Sequence, residues 1–109
     1  MSDGLTLDDL SVPLRALRLL AVDFGHLPAP EVDVSAIYPG RLKLRFHDDL
    51  GEFEMWREAL GIASDAITHH TQSDGRTRVL TASVEYAGAE LELVAYGDIP
   101  APAPVGAGV

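Results

Sequence analysis

The 109-residue chain has no cysteine, one lysine and one tryptophan. Without thiols there is no disulfide, no thiolate zinc site and no thiol nucleophile, and the pattern fits a reducing compartment. Positive charge is scarce, with 8 Lys and Arg against 17 Asp and Glu for a formal net charge of -9. Such a balance disfavours sequence-independent binding to a phosphate backbone, which rests on summed positive charge. Long apolar runs are also missing, so no membrane-spanning segment is expected. Met1 to Asp9 is acidic and lacks the basic region followed by an apolar run of a secretory signal, so the expected location is the cytoplasm. There is no Gly-x-Ser-x-Gly elbow, no Asp-x-Asp-x-Asp-Gly calcium loop and no glycine-rich phosphate loop, since the glycines cluster only after Pro104. No cofactor, metal or catalytic group is expected from motifs.

What is present is ordinary globular material, 47% hydrophobic and 23% charged. At this length one domain buries roughly 65% of its unfolded surface. Residues 1–98 read as that domain. Residues 99–109, beginning Ile99-Pro100-Ala101-Pro102-Ala103-Pro104, read as an extended or disordered tail.

Within the domain, Met1 to Leu5 is expected to be loose, and a helix is predicted from Ser11 as N-cap to Phe24. Its stripe is Leu14, Leu17, Leu20 and Phe24, and Gly25 ends it. His26-Leu27-Pro28-Ala29-Pro30 is a rigid connector, because prolines deny it both helix and ladder. Glu31 to Tyr38 alternates as a half-buried strand, and Pro39-Gly40 turns it into Arg41 to His47. A second helix is expected from Asp48 or Asp49, as caps, to Leu60, with Leu50, Phe53, Trp56 and Leu60 inward and Gly61 as the stop. Trp56 reads as core. Glu54 and Glu58 read as a wet face with Arg57 between them. Three strands follow, Ala66 to Gln72, Arg76 to Tyr86 and Glu90 to Tyr96, with turns at Asp74-Gly75 and near Gly88. The order α-ββ-α-βββ predicts an α+β two-layer sandwich, a five-stranded, mainly antiparallel sheet with both helices on one face.

The most informative segment is Arg41 to His47. Basic residues Arg41, Lys43, Arg45 and His47 alternate with Leu42, Leu44 and Phe46, so one strand carries an oily face and a cationic face. Parity places Glu31, Asp33, Ser35, Ile37, Val79, Glu85, Glu90, Glu92, Val94 and Tyr96 on the same open face. It also sets Glu85 against Glu90 or Glu92, an unfavourable like-charge pair. In the first hairpin it implies a three-residue loop and pairs Asp33 with Arg45 or His47.

Two readings of this face stand side by side. Its charges neutralise one another on a solvated sheet, as exposed charges ordinarily do. Or Arg41, Lys43, Arg45, His47, Glu85, Glu90 and Glu92 bind a partner, a protein or a second copy, with the basic strand of one subunit against the acidic hairpin of the other. On the second reading the chain is a non-enzymatic interaction module, self-associating through the polar face or a sheet edge. Two alternatives draw on other features. Acidic clusters Asp8-Asp9, Asp48-Asp49 and Glu90-Glu92 suit an acidic regulator of a nucleic-acid-binding protein, and His47 or His70 with Glu85 or Glu92 would suit a small acid/base enzyme if they met. His69 and His70, adjacent on a strand, point to opposite faces and cannot chelate one ion together. His69 reads as a partly buried structural residue.

The segments Phe24-Gly25-His26-Leu27-Pro28-Ala29-Pro30, Ile37-Tyr38-Pro39-Gly40-Arg41-Leu42, Trp56-Arg57-Glu58-Ala59-Leu60-Gly61 and Asp74-Gly75-Arg76-Thr77-Arg78-Val79-Leu80 resemble small actinobacterial proteins of unknown function. That resemblance implies a bacterial cytoplasmic setting, with a phage or mobile element as one origin. It implies no activity and no site.

Overall fold

A computed structural model describes residues 5–47, 50–72 and 75–98. The expected caps Asp48 and Asp49, the turn residue Asp74, the start of the loose N-terminus and the tail 99–109 lie outside these residues. A 3-10 turn, Leu7–Leu10, leads into helix α1, Ser11–Asp23. Strands β1, Glu31–Ser35, and β2, Tyr38–His47, come next, then helix α2, Leu50–Ala59. After a 3-10 turn at Ser64–Ala66 come β3, Thr68–Thr71, β4, Thr77–Tyr86, and β5, Ala89–Asp98. The fold is α+β in two layers, with one five-stranded sheet in the order β1-β2-β5-β4-β3 and both helices on one face. No helix among the described residues is long and apolar enough to cross a membrane.

All neighbouring strands pair antiparallel except β2 and β5, which are parallel. A parallel pair needs a long crossover. Here α2, β3 and β4 supply it, and so bring the last strand back beside the second.

The helices lie over β2 and β5. Leu42, Leu44 and Phe46 on β2 and Leu91, Leu93 and Ala95 on β5 are buried against Ala16 and Leu20 of α1 and Phe53 and Trp56 of α2. Because both helices pack on the central pair β2 and β5, the margins of the sheet extend past them. Val32, inward by parity on edge strand β1, is therefore 40% exposed.

Helix α1 presents Pro13, Ala16 and Leu20 inward, and Leu14 from the predicted stripe is exposed. Small Ala16 at the centre of the contact lets the helix sit close to the sheet. Ser11 is already helical rather than a cap. Upstream, the Thr6 N–H donates to the Asp9 carboxylate at 2.9 Å. Gly25 ends α1 by close approach, because a Cβ there would stand 2.5 Å from the Ala21 carbonyl oxygen. Helix α2 closes on Gly61, at φ +73°. The Ile62 N–H reaches the Arg57 carbonyl at 3.1 Å and the Gly61 N–H reaches that of Glu58, the paired bonds that a left-handed C′ residue permits. The Trp56 indole N–H donates to the Pro28 carbonyl at 2.8 Å, pinning the proline connector to α2.

At the C-terminal end of α1 the Tyr86 hydroxyl donates to Asp23 Oδ2 at 2.7 Å, tying the helix to β4. Burial, and then the bond to the Asp23 carboxylate, push the phenol up to about 12. A group raised on folding stabilises the fold fully below its ordinary value of about 10, and that contribution is lost as pH climbs through the folded value. Tyr86→Phe is expected to cost about 1 kcal/mol at neutral pH and to flatten the alkaline limb of a melting-temperature profile above about pH 10. Identical alkaline limbs in the two proteins would show that this hydroxyl is not linked to stability.

Candidate functional site

The open face of the sheet is built in cross-strand rows. One runs Glu31, Arg45, Val94, Thr81, Thr68; a second Asp33, Lys43, Glu92, Ser83; a third Arg41, Glu90, Glu85; a fourth His47, Tyr96, Val79, His70. Glu85 thus stands opposite Glu90, one of its two expected positions.

The parallel β2–β5 pairing sets cations directly against acids of the same chain. Arg41 meets Glu90 at 3.4 Å and Glu92 at 4.0 Å, and Lys43 meets Glu92 at 3.5 Å. On the other side Arg45 reaches Asp33 Oδ2 at 2.7 Å and Glu31 at 3.6 Å. The hydrogen bond to Asp33 holds the Arg45 guanidinium above its ordinary range, outweighing desolvation. His47 lies 3.6 Å from Glu31 and stacks on Tyr96 with centroids 5.2 Å apart. The Arg41 guanidinium also covers the Tyr38 ring at 4.4 Å. Of the seven residues singled out on this face, Glu85 alone has no such partner among the described residues. Val79 and Val94, apolar residues on this polar face, are only 4% and 5% exposed. In their rows Val79 stands between Tyr96 and His70 and Val94 between Arg45 and Thr81, and Arg45 Nε itself is buried without a hydrogen-bond partner.

The first hairpin differs from the expected register. Ser35 pairs with Tyr38 across a two-residue connection, Ala36-Ile37, and pairing then jumps so that Val34 meets Leu42 and Asp33 meets Lys43, not Arg45 or His47. Proline has no N–H to give to a ladder. Pro39, Gly40 and Arg41 are accordingly left without partners on β1. The Ser35 hydroxyl accepts from the Ile37 N–H at 3.1 Å and shapes the tight connection. Parity survives the jump, so Asp33 still faces the basic stripe and reaches Arg45 diagonally.

The structure does not bring His47 and His70 together. Tyr96 and Val79 separate them within one row, three strand spacings or roughly 14 Å. His69 shares a face with Leu80, as parity requires, yet it is exposed, because β3 lies beyond the helices. On α2, Arg57 joins Glu54 at 2.9 Å and Glu58 at 3.8 Å, and its hydrogen bonds hold Glu54 below the usual carboxylate range. Among the described residues no group of three or more His, Asp or Glu is placed to hold a metal ion.

Two further features escaped sequence reasoning. An apolar cleft of about 190 Å³ lies between α1, the proline connector and β1, lined by Leu17, Phe24, Pro28, Val32, Leu44 and Trp56. It is smaller than the roughly 300–1,000 Å³ of ordinary small-molecule sites and carries no convergent polar groups.

The second is the contrast between the two sheet edges. The β1 edge follows Pro28 and Pro30, carries Glu31 and Asp33 and ends in the irregularity at Val34/Ser35. Prolines, charges and bulges are the devices that blunt an edge. The β3 edge, Thr68-His69-His70-Thr71, is exposed at every residue and has no Asp, Glu, Lys, Arg or Pro. Alternation along it can be fixed, since the Gln72 N–H donates to the Thr77 carbonyl across the ladder at 2.8 Å. His70 and Thr68 therefore also turn their backbone groups toward β4, while His69 and Thr71 turn their N–H and C=O outward. The sequence signal for this edge was the run of four uncharged residues itself.

Comparison of the chain with known protein families, with curated proteins and with solved structures finds no match.

Proposed function

We propose that the chain is a small non-enzymatic interaction module that self-associates through the free edge of β3. The observation that carries this reading is the contrast between the edges: β1 is blunted, whereas β3 offers four outward backbone groups with no charge to repel a second strand. A second copy is the occupant that fits them, because antiparallel pairing about a two-fold axis sets the same donors and acceptors against each other. The polar face lends less support to the docking surface expected there, since Arg41, Lys43, Arg45 and His47 are engaged by acids or a ring of their own chain. An acidic-regulator role draws on the same carboxylates, Glu90 and Glu92, and meets the same difficulty.

About four inter-strand hydrogen bonds at about 1 kcal/mol each stand against an association cost of several kcal/mol, so the dimer is expected to be weak. Sedimentation from about 10 µM to about 1 mM, a range spanning weak dissociation constants, should show a concentration-dependent rise in mass. Thr68→Lys puts a gatekeeping charge on the edge and should keep the chain monomeric, with stability changed by only about 0.5 kcal/mol. A wild-type chain that stays monomeric throughout, or a Thr68→Lys chain that dimerises equally well, refutes the reading.

A further inference from the structure

From the β3 edge we infer that the two-fold axis of the dimer falls on a histidine, so that an imidazole meets its own copy and protonation drives the subunits apart. This rests on the self-association proposed above and adds its register and its control. A two-fold axis perpendicular to the sheet keeps the helix layers of both copies on the same side. Directly opposed residues then share a face, and the sum of their numbers is even. Within Thr68–Thr71 two registers centre the overlap. In one, His69 opposes His69 of the second copy; in the other, His70 opposes its own copy.

The outward backbone groups fit both registers. Centred on His70, His69 and Thr71 exchange bonds with each other's copies, and the His70 pair occupies a non-hydrogen-bonded site with Cα atoms about 4.5 Å apart. Centred on His69, that residue bonds its own copy and Thr71 donates to the Ile67 carbonyl. Ile67 is extended there, at φ -78° and ψ 129°, and its own N–H is turned to Ser64. Each register makes four bonds. Each also sets one imidazole directly against another and holds the second histidine of each chain within one residue of the axis.

Histidine is the side chain that ordinarily changes charge between pH 5 and 8. Among the described residues neither the His69 nor the His70 imidazole has an ion-pair or hydrogen-bond partner. On β4, the strand paired with β3, the charged group on the His69 face is Arg78, beside Leu80. His70 faces Val79, flanked by Thr77 and Thr81, with Tyr96 beyond it on β5 and Asp98 at the register position opposite Thr77. At low pH up to four new positive charges crowd the junction, and Arg78 adds to them.

Sedimentation equilibrium of the full chain at about pH 7.5 and about pH 5.5, which brackets histidine titration, tests this directly. The dissociation constant of the wild type should rise about tenfold on acidification, from like charges directly opposed. His69→Gln with His70→Gln should abolish the dependence while the dimer persists at neutral pH, and the single variant that flattens it identifies the axis. A dimer equally tight at both values, or a double variant with the wild-type dependence, overturns the inference while self-association stands. A wild-type chain monomeric at both values would instead remove the self-association reading itself.

Discussion

Phe46→Ala is expected to destabilise the fold by about 3–5 kcal/mol, the largest effect of any single truncation considered for this chain. The ring is 2% exposed and meets Phe53 of α2 edge-on, with centroids 6.0 Å apart and planes at 81°. Its removal forfeits the transfer energy, the aromatic contact and the packing of a cavity that cannot close, because β2 is locked between β1 and β5. Against a total stability of about 5–15 kcal/mol for a domain of this kind, the loss would lower the melting temperature by about 12 °C or more. Phe46→Leu keeps most of the volume and should cost about 1–1.5 kcal/mol. Urea denaturation of the two variants checks this. A loss below about 1 kcal/mol for the alanine variant would mean that the site relaxes, contrary to its position under α2. The same residue bears on the working face, since anchoring Phe46 inward turns Arg45 and His47 outward.

The face assignments were legible because period-two alternation leaves no freedom once one face is oily. Leu42, Leu44, Phe46, Leu91 and Leu93 are all buried, and Glu85 opposes Glu90 as parity allowed. Lateral order was not legible, since hairpin rules are local. Nothing in residues 89–98 announces that they pair in parallel with residues 41–47 across an intervening helix and hairpin. That one fact decides which acids of β5 the stripe meets within the chain: Glu90 and Glu92 stand beside Arg41 and Lys43, while Arg45 and His47 meet Glu31 and Asp33 of the local hairpin. Roofing was hidden for a similar reason. Ile67, His69 and Leu80 share one face by parity, but whether a helix covers that face depends on where the strand falls in the sheet, so the expected burial of His69 gave way to exposure. The Asp33 register failed at Pro39, where the sequence contained the signal, a missing N–H, but not its consequence of three unpaired residues. The β3 edge shows the same limit. Its lack of charge is plain in the chain, yet it becomes an edge only when the sheet order is known.

Arg45→Glu should cost about 2–3 kcal/mol, more than an exposed ion pair ordinarily contributes, and the loss should be concentrated in β1. The strand has one neighbour, β2, and its inward residues Val32 and Val34 are exposed and half-buried at the margin of the helix layer. Its attachment therefore leans on the backbone ladder and on Arg45, which holds Asp33 at 2.7 Å and Glu31 at 3.6 Å. Reversal removes both contacts and adds a carboxylate to two others within one row and its diagonal, a repulsion of up to about 1 kcal/mol per directly opposed pair. It also strips the long aliphatic stem from the surroundings of Val94. Arg45→Met keeps that stem and removes only the charge, so it should lose about 1 kcal/mol. Hydrogen exchange locates the damage: β1 amides should exchange faster in Arg45→Glu by more than the global loss explains, while those of β4 and β5 follow global stability. Added salt should recover part of the deficit in Arg45→Glu, because the repulsion is partly exposed and is screened within about 10 Å at 0.1 M ionic strength. Uniform loss across all five strands, or none in β1, would separate the basic stripe from the attachment of this edge. The expected pattern instead makes the cations of β2 fasteners of the sheet on which the β3 edge is displayed.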